Sequence, residues 1–301
     1  MLERILNNRT IVIYVLPFFL GSLTVFSFQP FNLSFINFFL LPILFLLLVY
    51  VKKKSKSTYR KKPYRKNLFL IGFIFGFGFY LSGIFWIAYS LTFDENFKIL
   101  IPFSVIIIPL FLSIFTGLAT LLAGQFLTNN FVSLLIFSSS FALSDFIRGK
   151  VLTGFPWNIW GYSWSWFAEI LQTLNLLGLY AFNLLAITIF TIPATLFFKS
   201  TISKKILTIS VTSIFVFATY IYGTYSLNKN FKFLKNIESK NKFHTKIISP
   251  NFELKYNSTI TEIEQKLKKL IRYSNPDIKK NTIFIWPEGV FTGHNFYEIS
   301  Q

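Results

Sequence analysis

Hydrophobic residues fall in long, nearly uninterrupted runs over the first three quarters of the chain, and polar residues gather in the gaps between them. A helix needs about 20 apolar residues to cross roughly 30 Å of hydrocarbon. Measured against that length, the pattern predicts seven spanning helices, at 10–28, 34–51, 68–91, 99–124, 131–147, 170–198 and 205–225. The sixth contains Pro193, which a spanning helix tolerates if neighbours satisfy the freed carbonyl. The first run lacks a small-residue cleavage site and leads straight into another span, so it is not a removable signal peptide.

The pattern changes after Tyr225. Residues 226–242 are polar and read as a linker along the surface. A short β-branched run at 244–249 has strand character and ends at Pro250 and Asn251. Thr259 and Glu262 stand three apart as a capping box, and Ile260, Ile263, Leu267, Leu270 and Ile271 follow at helical spacing. Asn275 and Pro276 end that helix, and 281–286 reads as a second strand. Strand, helix and strand in this order predict parallel strands. Domains are therefore expected at 1–225 (membrane helices) and 243–301 (α/β), with 226–242 between them. One such unit does not cover both faces of a parallel sheet, so the domain is either completed elsewhere or truncated, and truncation is expected.

Composition narrows the picture. Of 301 residues, 53% are hydrophobic and 14% charged, where a soluble domain carries about 25% charged residues. Lipid is the solvent that such a surface requires. The formal charge of +18 is held in loops between apolar runs, which is the membrane pattern, so no nucleic-acid partner is expected. The segment 52–66 alone has nine Lys and Arg; with Arg4, Arg9, Lys199, Lys204 and Lys205 it predicts a cytoplasmic N-terminus. Seven crossings then put everything after Tyr225 outside. Topology determination accounts for the basic loop, although the same charges also attract anionic headgroups. No cysteine and only two histidines occur, so neither a metal site nor any other cofactor is expected.

Candidate chemistry is concentrated at two places. Trp286-Pro287-Glu288 ends the second strand, and the carboxyl end of a parallel strand is where α/β sheets place their sites. Between the fifth and sixth spans, Trp157, Trp160, Trp164 and Trp166 crowd together, which reads either as an interfacial aromatic belt or as a lipid-contacting floor. Asp145 and Arg148, three apart at a helix end, form a local ion pair, or else Arg148 meets a lipid phosphate. Gly72 and Gly76 make a GxxxG that favours close helix packing.

The segment IFIWPEGVF (283–291) resembles the first catalytic motif of the nitrilase superfamily. SDFIRGKVLTGFPWNIWGYSW (144–164) resembles the signature of the apolipoprotein N-acyltransferase family. Segments 26–42, 76–91 and 171–187 are similar to the same family, and 248–257 is similar to the opening of its periplasmic domain. The resemblance implies a multi-pass bundle followed by the start of an α/β nitrilase-like, αββα sandwich domain, in a bacterial inner membrane. It implies transfer of a phospholipid acyl chain to the N-terminal S-diacylglyceryl cysteine of apolipoproteins, with a phospholipid donor, an apolipoprotein acceptor and membrane lipid as partners. Glu288 falls on the family's general base. The Lys and the thioester-forming Cys of such enzymes have no counterpart here, so inactivity of the chain alone is expected. Arg148, Trp157 and Tyr256 are the expected substrate contacts, and a monomer is expected. Departures from the family pattern are Asp145 for Glu, Ser249-Pro250 for Gln-Gly, Tyr256 for Trp, and Gly289 for a small hydroxyl residue. A non-catalytic scaffold or transporter and a membrane-tethered amidase are the alternatives; few ionisable residues inside the spans weaken the first, and TGFPW weakens the second.

Overall fold

The computed structural model describes residues 8–55, 62–237, 244–252, 258–277 and 281–290. Two compact units divide the chain, Met1–Ala88 with Pro102–Asn228, and Tyr89–Ile101 with Lys229–Gln301.

The first unit is helical. α1 (Ile11–Ser27) opens with a turn of π-helix at Ile11–Val15 and closes in a 3₁₀ turn at Val25–Ser27. It is followed by α2 (Asn37–Lys54), α3 (Tyr64–Ile84), α4 (Ile101–Gly124) and α5 (Phe131–Arg148). The short α6 (Ala168–Leu171) and α7 (Leu174–Leu177) precede α8 (Leu179–Thr191) and α9 (Ile202–Ile237). Six helical stretches among the described residues are long and apolar enough to cross a membrane: Ser34–Lys54, Tyr64–Phe93, Glu95–Gly124, Phe131–Arg148, Leu179–Phe197 and Ile202–Asn236. The first expected span, 10–28, is the shorter α1.

Two boundaries differ from the sequence reading, each for a local reason. The expected span 170–198 begins instead at Leu179, because Gly178 takes φ +74° and breaks the helix before it. The polar run 226–242, expected as a linker, continues α9 as far as Ile237; residues 226–237 contain neither Gly nor Pro, so nothing stops the helix. At Pro193 the helix tightens into the 3₁₀ turn Ile192–Phe197.

Small residues set how closely the helices meet. A Cβ on Gly21 of α1 would lie 1.9 Å from the Phe75 carbonyl oxygen, and one on Gly78 of α3 would lie 2.2 Å from that of Phe18. The two glycines therefore let α1 and α3 pack backbone to backbone. Gly72 and Gly76 do the same toward α4, where they face Thr116 and Thr120, and Thr120 Oγ1 donates to the Leu68 carbonyl at 2.9 Å. The core between the helices is aromatic. Phe45 packs edge-on against Phe137, Phe38 against Phe190, and Phe137 lies 4.7 Å from Phe141 between centroids. Outward, Ile206, Leu207, Ile214, Phe217 and Ile221 of α9 are exposed, a face that only an apolar solvent satisfies.

In the second unit, β1 (His244–Ile247) and β2 (Thr282–Ile285) are parallel, with His244 opposite Thr282 and Ile247 opposite Ile285. α10 (Ile260–Ser274) connects them. Its capping box is formed: Thr259 Oγ1 accepts from the Glu262 N–H, and Glu262 Oε2 accepts from the Thr259 N–H at 2.9 Å. Asn275 ends it in the left-handed region at φ 40°. Of the apolar positions expected on its inner face, Ile263 and Leu270 are buried, while Ile260 and Ile271 are exposed. Ile248, Leu270 and Val290 form the small core, with Phe252 packed against it. Ile247, Ile283 and Ile285 remain exposed among the described residues.

Candidate functional site

Chemistry-bearing residues gather at one site in each unit. In the second unit, β2 runs into Trp286, Pro287 and Glu288, followed by a turn in which Gly289 takes φ +72°. Two anchors fix this turn. Trp286 Nε1 donates to Ser274 Oγ at the end of α10, at 3.0 Å, and Val290 enters the core beside Ile248 and Leu270. Between those anchors Glu288 is exposed, at the carboxyl end of a parallel strand, where α/β sheets place their sites. Tyr256 lies outside the described residues.

In the first unit the site is the loop after α5, and it is held by a buried polar chain. Arg148 is 1% exposed. Its Nη2 donates to Asp145 Oδ1 at 3.0 Å, and its Nη1 donates to two carbonyls of the loop, Phe155 at 2.7 Å and Trp157 at 2.8 Å. The carbonyls flank Pro156, so one guanidinium edge grips the loop on both sides of its stiffest residue. The guanidinium also lies 5.3 Å from the Tyr80 ring of α3. The other Asp145 oxygen accepts from Asn183 Nδ2 of α8 at 2.9 Å, and Asn183 Oδ1 accepts the Gly161 N–H at 3.0 Å. A single carboxylate thus ties α5, α8 and both ends of segment 155–161 together.

The Asp145–Arg148 ion pair is present, with the two side chains 7% and 1% exposed. Both terminal nitrogens of Arg148 are held by protein acceptors, as a buried guanidinium requires. Asn183 is the partner that sequence reasoning missed; an amide inside an apolar run was the signal that would have found it. Tyr162, on the same loop, has its hydroxyl pushed up from its ordinary value by burial and by Tyr180, against an opposing pull from Arg148.

The four tryptophans divide into two pairs. Trp160 is buried and stacks on Phe75 and Phe79, and Trp164 is buried and stacks on Phe190 at 5.2 Å. Those two are core. Trp157 is 52% exposed and meets Trp86 edge-on at 5.6 Å, and Trp166 is 56% exposed. Only this second pair fits a belt or a lipid-contacting floor. Below the loop, a cavity of about 650 Å³ is lined by apolar side chains that include Phe38, Trp164, Phe167, Pro193 and Val216. Among the described residues no cluster of His, Cys, Asp and Glu is suited to a metal ion.

Residues 20–192 match the family described as the apolipoprotein N-acyltransferase N-terminal domain. An apolipoprotein N-acyltransferase of Bradyrhizobium diazoefficiens is 31% identical over 280 residues, covering 90% of this chain and 50% of that protein. One from Rhodopseudomonas palustris is 27% identical over 286 residues, covering 92% and 51%. One from Rickettsia prowazekii is 31% identical over 202 residues, covering 66% and 39%. The chain spans about half the length of the first two relatives.

Proposed function

The chain belongs to the apolipoprotein N-acyltransferase family, and from that premise we propose that it is the membrane half and the general-base segment of an enzyme that N-acylates lipoproteins. The reaction takes an acyl chain from a phospholipid and adds it to the α-amino group of an S-diacylglyceryl cysteine. What carries the reading is Glu288, exposed on a doubly anchored turn at the carboxyl end of β2. In the proposed sequence, the carboxylate takes the proton from a thiol as the sulfur attacks the ester carbonyl. The proton then passes to the departing lysophospholipid oxygen. In the second half the lipoprotein amine attacks the thioester, Glu288 accepts its proton, and the thiol is released.

α1 joins the six longer helices as a seventh span, the N-terminus is cytoplasmic, and Glu288 lies on the outer side of a bacterial inner membrane. The exposed ring of Trp157 rests among lipid chains, Tyr256 lines the acyl-chain entrance, and Arg148 holds the loop that presents Trp157. A monomer suffices.

The sequence contains no cysteine, so the 301 residues have no thiol to carry the acyl group. Purified chain, mixed with a phospholipid donor and a diacylated lipopeptide, is expected to leave the peptide mass unchanged. A protein that joins this chain to a cysteine-bearing catalytic segment is expected to raise that mass by one acyl chain. Transfer by the 301 residues alone would refute the thioester route, and no transfer by the cysteine-bearing protein would refute the function.

A further inference from the structure

Away from both sites, α1, α2 and α3 meet at the end of the helical unit that carries Arg9, Lys52, Lys53 and Lys54. There a cavity of about 170 Å³ opens between them. Arg9 and Lys54 stand on its rim with Tyr50 and Asn67, while Val12 and Val51, both buried, form its floor. Arg9 Nη2 donates to Asn67 Oδ1 at 3.3 Å, which orients the guanidinium, and Lys54 Nζ donates to Tyr50 Oη at 2.8 Å. Two oriented cations over an apolar floor, at the end of a membrane-spanning bundle, match the junction of a lipid's phosphate and its chains. Guanidinium forks fit phosphate oxygens, and the ammonium adds a point charge.

We propose that this cavity is a binding site for the headgroup of an anionic phospholipid, its phosphodiester held between Arg9 and Lys54 and its chains left in the bilayer. The cavity is too small for a whole lipid, and the Asn67 amide on its rim adds a neutral donor suited to a hydroxylated headgroup such as glycerol. The site is independent of acyl transfer and of Glu288.

The test uses the whole purified chain in detergent, titrated with dihexanoyl phosphatidylglycerol, dihexanoyl phosphatidylcholine or inorganic phosphate, with binding read by calorimetry. Phosphatidylglycerol is expected to bind about tenfold more tightly than either alternative. Arg9→Gln and Lys54→Gln are each expected to weaken it about fivefold. Both residues are exposed, so unliganded melting is expected to be unchanged. Lys62→Gln, an exposed cation at the same end that does not line the cavity, is expected to change nothing. Equal affinity for phosphatidylcholine would overturn the proposal, and so would equal affinity for inorganic phosphate, which would make the site one for free anions. Equal weakening by Lys62→Gln would overturn it too, by reducing the effect to diffuse charge attraction.

Discussion

Asp145→Asn combined with Asn183→Asp is expected to fold to within about 2 kcal/mol of the unaltered chain, whereas each change alone costs about 3–5 kcal/mol. With Asp145→Asn alone, the Arg148 guanidinium is buried without a counter-charge, and the new amide meets Asn183 Nδ2 donor to donor across the present 2.9 Å contact. With Asn183→Asp alone, two carboxylates face one another over that distance. In the double variant, the amide at 145 accepts from Arg148 and donates to the carboxylate at 183, which still accepts the Gly161 N–H. The number of charges and of hydrogen bonds is conserved, and only the direction of one bond is reversed. Reversible unfolding in mixed micelles, analysed as a double-mutant cycle, measures the coupling. If the double variant is as unstable as the two single losses added together, the residues are not one network.

Glu288→Gln is expected to lower acyl transfer by a protein that joins this chain to a cysteine-bearing catalytic segment by about 10²–10⁴-fold while leaving its folding unchanged. The amide is the same size but takes no proton from a thiol, and the exposed position of Glu288 means that the substitution disturbs no packing. Glu264→Gln is the matching control. Glu264 is also exposed, on α10, where it pairs with Lys268 at 3.8 Å across one helical turn, and activity is expected to be retained. Loss of activity in both variants, or in neither, would remove Glu288 from its role as general base.

Much of the architecture is legible in the residues because its causes are local. Apolar length marks Phe131–Arg148 as a span within a residue of its end. The Thr259–Glu262 box and the Asp145–Arg148 pair both follow from three-residue spacing, which a helix enforces wherever it lies. Contacts distant in sequence were not legible. The Asn183–Asp145 bond joins residues 38 apart, and the Gly21–Gly78 approach joins two spans whose pairing no spacing rule gives. Tryptophan count pointed to an interface, but Trp160 and Trp164 are buried because the loop folds back onto Phe75, Phe79 and Phe190. The sixth span begins late for a reason that is local yet silent in hydropathy: Gly178 is apolar enough to pass as helix while its φ of +74° ends one.

Acylation of exported lipoproteins requires Glu288 to face away from the cytosol, and the absence of cysteine makes that directly measurable. Glu288→Cys gives the chain a single thiol, to be labelled in intact cells with a membrane-impermeant maleimide, with Lys62→Cys as the opposite-side reference. Labelling at 288 without permeabilisation, and at 62 only after it, is the predicted result. A thiol at 288 that reacts only once the membrane is opened would contradict the account.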